Sequence, residues 1–186
     1  MSFIKTDFPG LFIFEPKVFE DSRGYFYESY NANTFAAENI QINFIQDNQS
    51  QSSYGVIRGL HYQLSPKAQT KLIRVISGEI LDIAVDMRVG SPQFGKSFEI
   101  VLSASNKKQL LIPKGFAHGF SVLSKTAEVF YKCDEFYDRE SEGSILYNDP
   151  FLNIDWQIPE DKIIVSEKDK RNPLFKDCKN NFVFET

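Results

Sequence analysis

The stretch Gly55-Val56-Ile57-Arg58-Gly59-Leu60-His61-Tyr62-Gln63 carries one of the two histidines in the chain, and an arginine stands three positions before it. Val56, Ile57 and Leu60 give the segment an apolar body, and Gly55 and Gly59 allow close backbone approach, so it reads as a strand. A histidine fixed on a strand is a hydrogen-bonded structural group, a metal ligand or a general base. Metal binding is disfavoured. First-row metals take three or four ligands, and the two histidines lie far apart with no His-x-His pair. A general base fits the residue type, because an imidazole titrating near ~6.5 accepts protons at neutral pH. The other histidine, His118, lies in Ile112-Pro113-Lys114-Gly115-Phe116-Ala117-His118-Gly119-Phe120, a Pro/Gly turn leading back into a strand.

The rest of the chain must position these groups. At 186 residues it suits one domain spanning 1–186. The 18 Phe and 8 Tyr favour strands and offer surfaces for flat rings. A net charge of −4 argues against general affinity for nucleic acid, so an anionic ligand needs a local cluster of Arg and Lys. Cys133 and Cys178 are too few for a disulfide framework and match no zinc spacing. The N-terminus lacks a charged segment leading into an apolar run, and no apolar run approaches ~20 residues. A cytoplasmic protein with no membrane span is expected.

Strands are expected over Leu11 to Phe19, Tyr25 to Tyr30, Ile42 to Gln46 and Tyr54 to Gln63, with Asp21-Ser22-Arg23-Gly24 as a turn and Asp47 to Ser53 as a polar loop. Asn33 to Glu38 suits a short Asn-capped helix. Leu72 to Ile76, the turn Ser77-Gly78-Glu79 and Ile80 to Met87 read as a hairpin. Its second arm alternates Leu81, Ile83, Val85 and Met87 with Asp82, Ala84 and Asp86, as a half-buried strand does. Phe98 to Leu102, Gln109 to Ile112, Phe120 to Leu123 and Ala127 to Lys132 follow at short intervals. Beyond Pro150 the pattern weakens into a packed tail with a helical turn near Ser166 to Lys170. Many short strands and little helix define an all-β sandwich or barrel.

Gly59-Leu60-His61, Gly78 and Pro113-x-Gly115-x-x-His118 together resemble the two motifs of the cupin superfamily, a small jelly roll. Metal cupins carry His-x-His in the first motif; here Gln63 stands in place of the second histidine. The resemblance narrows with Lys71-Leu72-Ile73-Arg74-Val75, Asp82-Ile83-Ala84-Val85-Asp86-Met87-Arg88 and Ser91-Pro92-Gln93-Phe94-Gly95-Lys96. Tyr131-Lys132-Cys133 and Tyr147-Asn148-Asp149-Pro150 complete it. Read together, from about Phe8 to Pro173, these motifs are similar to the dTDP-4-dehydrorhamnose 3,5-epimerase family, with Tyr147 where many relatives carry Trp.

The resemblance implies a cupin-type jelly roll with a few short helices. It also implies an isomerase of dTDP-rhamnose biosynthesis that inverts carbons 3 and 5 of a dTDP-4-keto-6-deoxy sugar without metal, nicotinamide or flavin. By motif position His61 is the base, Asp169 its carboxylate partner, Lys71 the cation facing the enolate oxygen and Tyr131 the acid. Arg23, Arg58 and Lys168 match positions that contact the diphosphate or nucleotide end. Glu28, Gln46, Asn48, His118 and Glu142 match other binding positions, and Phe26 and Tyr137 offer rings to thymine or sugar. The family resemblance further implies a homodimer whose N-terminal strands cross, carrying Arg23 to Glu28 to the neighbour's pocket. Three other readings stand beside this one. They are an epimerase inverting only carbon 3 or carbon 5 of a related nucleotide sugar, a non-catalytic sugar-binding cupin, and a metal-dependent cupin oxygenase or isomerase.

Overall fold

The computed structural model describes residues 2–184. The N-terminal part holds strands β1 (Ser2–Lys5), β2 (Phe12–Glu15), β3 (Phe19–Asp21) and β4 (Gly24–Phe26), then helix α1 (Ala32–Ala37). Strands β5 (Gln46–Ser53), β6 (Ile57–Gln63), β7 (Lys71–Ser77), β8 (Glu79–Asp86) and β9 (Ser97–Ser103) follow. Strands β10 (Gln109–Ile112), β11 (Phe116–Val122), β12 (Thr126–Cys133) and β13 (Glu142–Ser144) complete the sheets. The tail has short 3-10 turns at Glu160–Lys162, Asp169–Arg171 and Phe175–Asp177, the second where a helical turn was expected.

Two antiparallel sheets face each other as the walls of a jelly roll. One runs β1-β2-β10-β7-β12-β5 and the other β13-β6-β11-β8-β9, while among the described residues β3 and β4 pair only with each other. Between the sheets, Ile73, Val75, Ile80, Ala84, Leu110, Phe120 and Val129 form a core with Phe8 and Phe116. Burial of side chains of this size stabilises by roughly 1.5–3 kcal/mol each.

Both outer faces are also covered. On the first sheet, Phe14, Leu72 and Leu111 pack under Phe35 of α1. A six-residue helix is too short to stand alone, so α1 depends on this contact and on its Asn31 cap, which accepts from the Asn33 amide. On the second sheet, Leu81, Ile83, Val85 and Met87 meet Trp156, Val165 and Phe182 of the tail. That covering corrects the expectation for β8. The strand is buried along nearly its whole length, because the tail covers its apolar Leu81, Ile83 and Val85 face while Asp82 and Ala84 of the other face point between the sheets.

Further expectations change. The segment over 72–87 is not a hairpin: β7 pairs with β10 and β12, whereas β8 pairs with β11 and β9. At Gly78 (φ +77°) the chain crosses between the sheets, and a Cβ there would collide with the Thr126 carbonyl. Asp47 to Ser53 is not a loop but most of β5, paired residue by residue with β12. It lies at the sheet edge, where a strand needs little apolar surface. Ile42 to Gln46 is correspondingly no strand except at its last residue, and the first two expected strands are broken into β2, β3 and β4. No helix among the described residues is long and apolar enough to cross a membrane.

Candidate active site

Between the sheets a cavity of about 610 Å³ is walled by β5, β7 and β12 on one side and β6 and β11 on the other. The tail segment around Ser166 and Asp169 closes one flank. The two histidines meet here: β6 and β11 are paired in the register that sets His61 opposite His118. This requires an unusually close approach of the two backbones. Gly59 has φ +118°, and a Cβ built on it would lie 2.5 Å from the Gly119 Cα and 2.7 Å from the His118 carbonyl oxygen. Only glycine fits beside His61.

Each imidazole is bonded to its own carboxylate. His61 Nε2 lies 2.7 Å from Asp169 Oδ1. Asp169, 5% exposed, also accepts from Asn172 Nδ2 at 3.3 Å, and its amide donates to Ser166 Oγ at 3.1 Å. Burial works against ionisation of this carboxyl, but the bond and charge of His61, with Ser166 and Asn172, hold it below the usual carboxylate range. A carboxylate only accepts, so His61 donates Nε2–H to it, and in the neutral ring the lone pair lies on Nδ1. Nδ1 has no protein partner among the described residues. His118 Nε2 lies 2.7 Å from Oδ1 of the fully buried Asp82. The other oxygen, Asp82 Oδ2, has no hydrogen-bond partner among the described residues.

The opposite wall carries Lys71 and Tyr131. The Lys71 ammonium stands 6.0 Å from the centroid of the Tyr131 ring. Burial pushes the Lys71 amine below its ordinary value, only partly offset by the fields of Cys133, Asp82 and Glu142. Burial also pushes the Tyr131 phenol up, so it stays protonated at neutral pH. Next to Tyr131, inward-facing Gln46 and Asn48 of β5 line the same wall. Alternate polar residues on an edge strand thus supply hydrogen-bonding groups to the cavity.

Toward the rim, Arg58 is braced by Nε donation to Ser52 Oγ at 2.9 Å. Lys168 Nζ lies 2.8 Å from both Glu142 oxygens, and that contact raises the amine's pKa. Tyr137, 58% exposed, lies at the same rim with its hydroxyl 3.4 Å from Glu142. Arg58, Lys71 and Lys168 give the cavity the local positive charge that an acidic chain needs to hold an anion. Among the described residues, no group of three His, Cys, Asp or Glu side chains converges as a metal site requires.

The cavity therefore collects every expected site residue except Arg23, Phe26 and Glu28. Those three belong to the β3–β4 hairpin and the segment after it. Arg23 is paired with Asp21 at 2.6 Å, and the Phe26 ring is 67% exposed. The cavity also includes residues that the sequence did not single out, notably Gln69, Ser50 and Phe120, with Asp82 behind His118. The alternation of Gln46, Asn48 and Ser50 was a signal for Ser50. Asp82 stands in the same alternating run as the buried face of β8.

A jelly roll whose cavity gathers a histidine–carboxylate pair, a half-buried lysine and a protonated tyrosine defines a cupin-type protein. Residues 5–177 match the model of the dTDP-4-dehydrorhamnose 3,5-epimerase family, and the chain belongs to that family. It is an isomerase. It is 51% identical to the dTDP-4-dehydrorhamnose 3,5-epimerase of Shigella flexneri over 96% of this chain and 98% of that one. It is similar to the crystal structure of dTDP-4-dehydrorhamnose 3,5-epimerase from Elizabethkingia anophelis, with TM-score 0.91 and 53% identity over 95% and 97% of the two chains. The Legionella pneumophila dTDP-6-deoxy-D-glucose-3,5-epimerase, solved in complex with dTDP-4-keto-L-rhamnose, aligns with TM-score 0.90 and 49% identity over 94% of this chain and 93% of that one.

Proposed function

We propose that this protein converts dTDP-4-dehydro-6-deoxy-D-glucose to dTDP-4-dehydro-L-rhamnose by inverting carbons 3 and 5. Both carbons flank the ketone, so their C–H bonds are the acidic ones of the sugar. The Nδ1 lone pair of His61 removes each proton, with Asp169 stabilising the imidazolium through Nε2–H. Charge moves to the carbon-4 oxygen, where Lys71 holds the enolate, while His118 stands beside the sugar as a binding residue. Tyr131 returns a proton from the far side, and bulk solvent resets both groups. The acid and base steps each supply roughly 10²–10⁴-fold, and a donor fixed on the enolate about 3–4 kcal/mol. No step calls for a metal or organic cofactor.

One observation carries this reading: His61 stands on β6 of one sheet, while Tyr131 stands on β12 of the other. A sugar ring lying between the walls has its base on one face and its acid on the other, which is what inversion demands. Racemisation by a single residue would return the proton to the face it left.

The nucleotide end would lie at the rim. Arg58 and Lys168 suit the diphosphate, the arginine by its planar fork. Tyr137 offers its ring to thymine, and Gln46, Asn48 and Glu142 offer hydrogen bonds. The protein acts as a homodimer in this reading. The β3–β4 hairpin exposes Phe19, Tyr25 and Phe26 and, among the described residues, pairs with no other strand, so a second copy is its natural cover. Arg23, Phe26 and Glu28 then complete the neighbour's site.

The test is turnover in deuterium oxide followed by mass spectrometry of the sugar. Two deuterons per product are expected, one at each inverted carbon; a single deuteron would reassign the enzyme as a one-centre epimerase. His61→Ala should abolish incorporation at both carbons while the circular dichroism stays unchanged. Substantial residual exchange would remove His61 from the base role.

A further inference from the structure

The loop that presents Tyr137 is held by glutamine side chains rather than by backbone pairing. The β12 ladder ends at Cys133, and β13 begins at Glu142. Among the described residues, no backbone-to-backbone hydrogen bond reaches residues 135–138. Three amides do this work instead. Gln69 Nε2 donates to the Glu135 carbonyl at 2.8 Å, and Gln63 Nε2 donates to the Phe136 carbonyl at 3.2 Å. The Tyr137 amide donates to Gln46 Oε1 at 2.9 Å, and the Asp138 amide donates to Gln63 Oε1 at 2.9 Å. Four successive residues are each gripped by a glutamine from the cavity wall or its edge.

Gln63 is the centre of this arrangement. It is 4% exposed, and its Nε2 also donates to the Lys67 carbonyl at 2.6 Å, so both amide hydrogens and the oxygen are used. Two carbonyls on one side and one amide N–H on the other fix which way the side chain points. A buried amide with all its bonds made tolerates little displacement, because any shift strands a polar group away from water. The rings on the gripped segment are by contrast 60% and 58% exposed at Phe136 and Tyr137, and so gain little position from packing of their own. His61, Lys71 and Tyr131 need no such device, since each stands on a laddered strand.

We propose that Gln63, assisted by Gln69, is a positioning residue that fixes the 135–138 loop and thereby holds Tyr137 over the nucleotide end of the substrate. The inference rests on the proposed function for what Tyr137 meets. The clamp itself is independent of ligand. Loss of a clamp bond frees the loop, so binding of the nucleotide pays an ordering cost that the intact protein has already met. Proton transfer between the sheets is untouched.

Gln69→Leu and Gln63→Met would be assayed beside the wild type, each also in a Tyr137→Ala background. Gln69→Leu serves if the more buried change fails to fold. The expected result is a rise in KM and in the dTDP dissociation constant of about tenfold, with kcat held within about twofold. That rise should disappear when Tyr137 is already alanine. Hydrogen exchange of the 135–138 backbone in the ligand-free protein should accelerate in both variants. An unchanged KM, a kcat that falls with it, or an undiminished effect without Tyr137 would each overturn the proposal. A wild type that turns over no nucleotide sugar would refute the epimerase reading instead. The exchange measurement then decides the clamp, with acceleration supporting it and unchanged rates refuting it.

Discussion

His61 and His118 face one another across the β6–β11 pair, yet each ring is bonded to a different carboxylate at the same 2.7 Å. Asp169 reaches His61 from the C-terminal tail, whereas Asp82 reaches His118 from the neighbouring strand β8. The strand pairing fixes the distance between the rings. The carboxylates fix which nitrogen of each ring faces away, and so set how each imidazole can serve a substrate lying between the sheets.

Replacing Asp169 with asparagine should separate these contributions. The side chain keeps its shape and an oxygen for His61 Nε2–H, but loses the charge that stabilises an imidazolium. A fall in kcat of roughly 10²-fold or more is expected with KM little changed, because the interaction matters most when His61 holds a proton. The same variant tests the carboxyl's depressed pKa. Where the folded pKa lies below the unfolded one, the unfolded chain binds more protons, so stability rises with pH. Asp169 therefore contributes stability above its unfolded value of about 4, and that contribution fades as pH falls through the folded value. Urea titrations of wild type and Asp169→Asn should converge in stability below about pH 4. Parallel curves down to the acid limit would contradict the pairing.

Lys71 has the opposite sign. Its folded pKa lies below the unfolded one because burial disfavours the ammonium, so holding the charge costs stability at neutral pH, and that cost disappears as pH rises through the folded value. Lys71→Met fills similar space without the charge. Activity should fall roughly 10²–10³-fold, the scale of one oxyanion donor, while the thermal midpoint stays level or rises. A large drop in midpoint would mean that Lys71 serves mainly to neutralise Asp82, whose free oxygen lies unbonded.

Much of this site was legible in the sequence, and the failures share a physical origin. His61 and Arg58 announced a strand through Val56, Ile57 and Leu60, and the family motifs carried Lys71, Tyr131 and Asp169 to the same cavity. Asp47 to Ser53 reads as a loop because it contains no apolar residue, yet it forms most of β5. A strand that lines a polar cavity at a sheet edge does not need one. The 72–87 segment reads as a hairpin because Ser77-Gly78-Glu79 suits a tight turn and a crossover equally; the choice is made by partners far along the chain. The glutamine contacts of the 135–138 loop join residues more than sixty positions apart, and no local pattern encodes them.

The β3–β4 hairpin yields the last prediction. Arg23 carries the phosphate-matching chemistry but is 88% exposed in its side chain and, among the described residues, bonded only to Asp21; with Phe26 and Glu28 it lies outside the cavity that holds the remaining expected residues. If a second copy receives it, a working site needs His61 from one subunit and Arg23 from the other. Arg23→Ala alone should raise KM by about tenfold or more, since a charge-assisted bond to phosphate is lost. His61→Ala alone should be inactive. A mixed dimer, co-expressed with two affinity tags and purified through both, pairs an Arg23→Ala subunit with a His61→Ala subunit. The first keeps its own His61 and receives an intact Arg23 from its partner, so one of the two sites is whole. At low substrate concentration the mixed dimer should regain close to half the wild-type activity, well above either parent. Activity no greater than that of the parents would place Arg23 on its own chain's site.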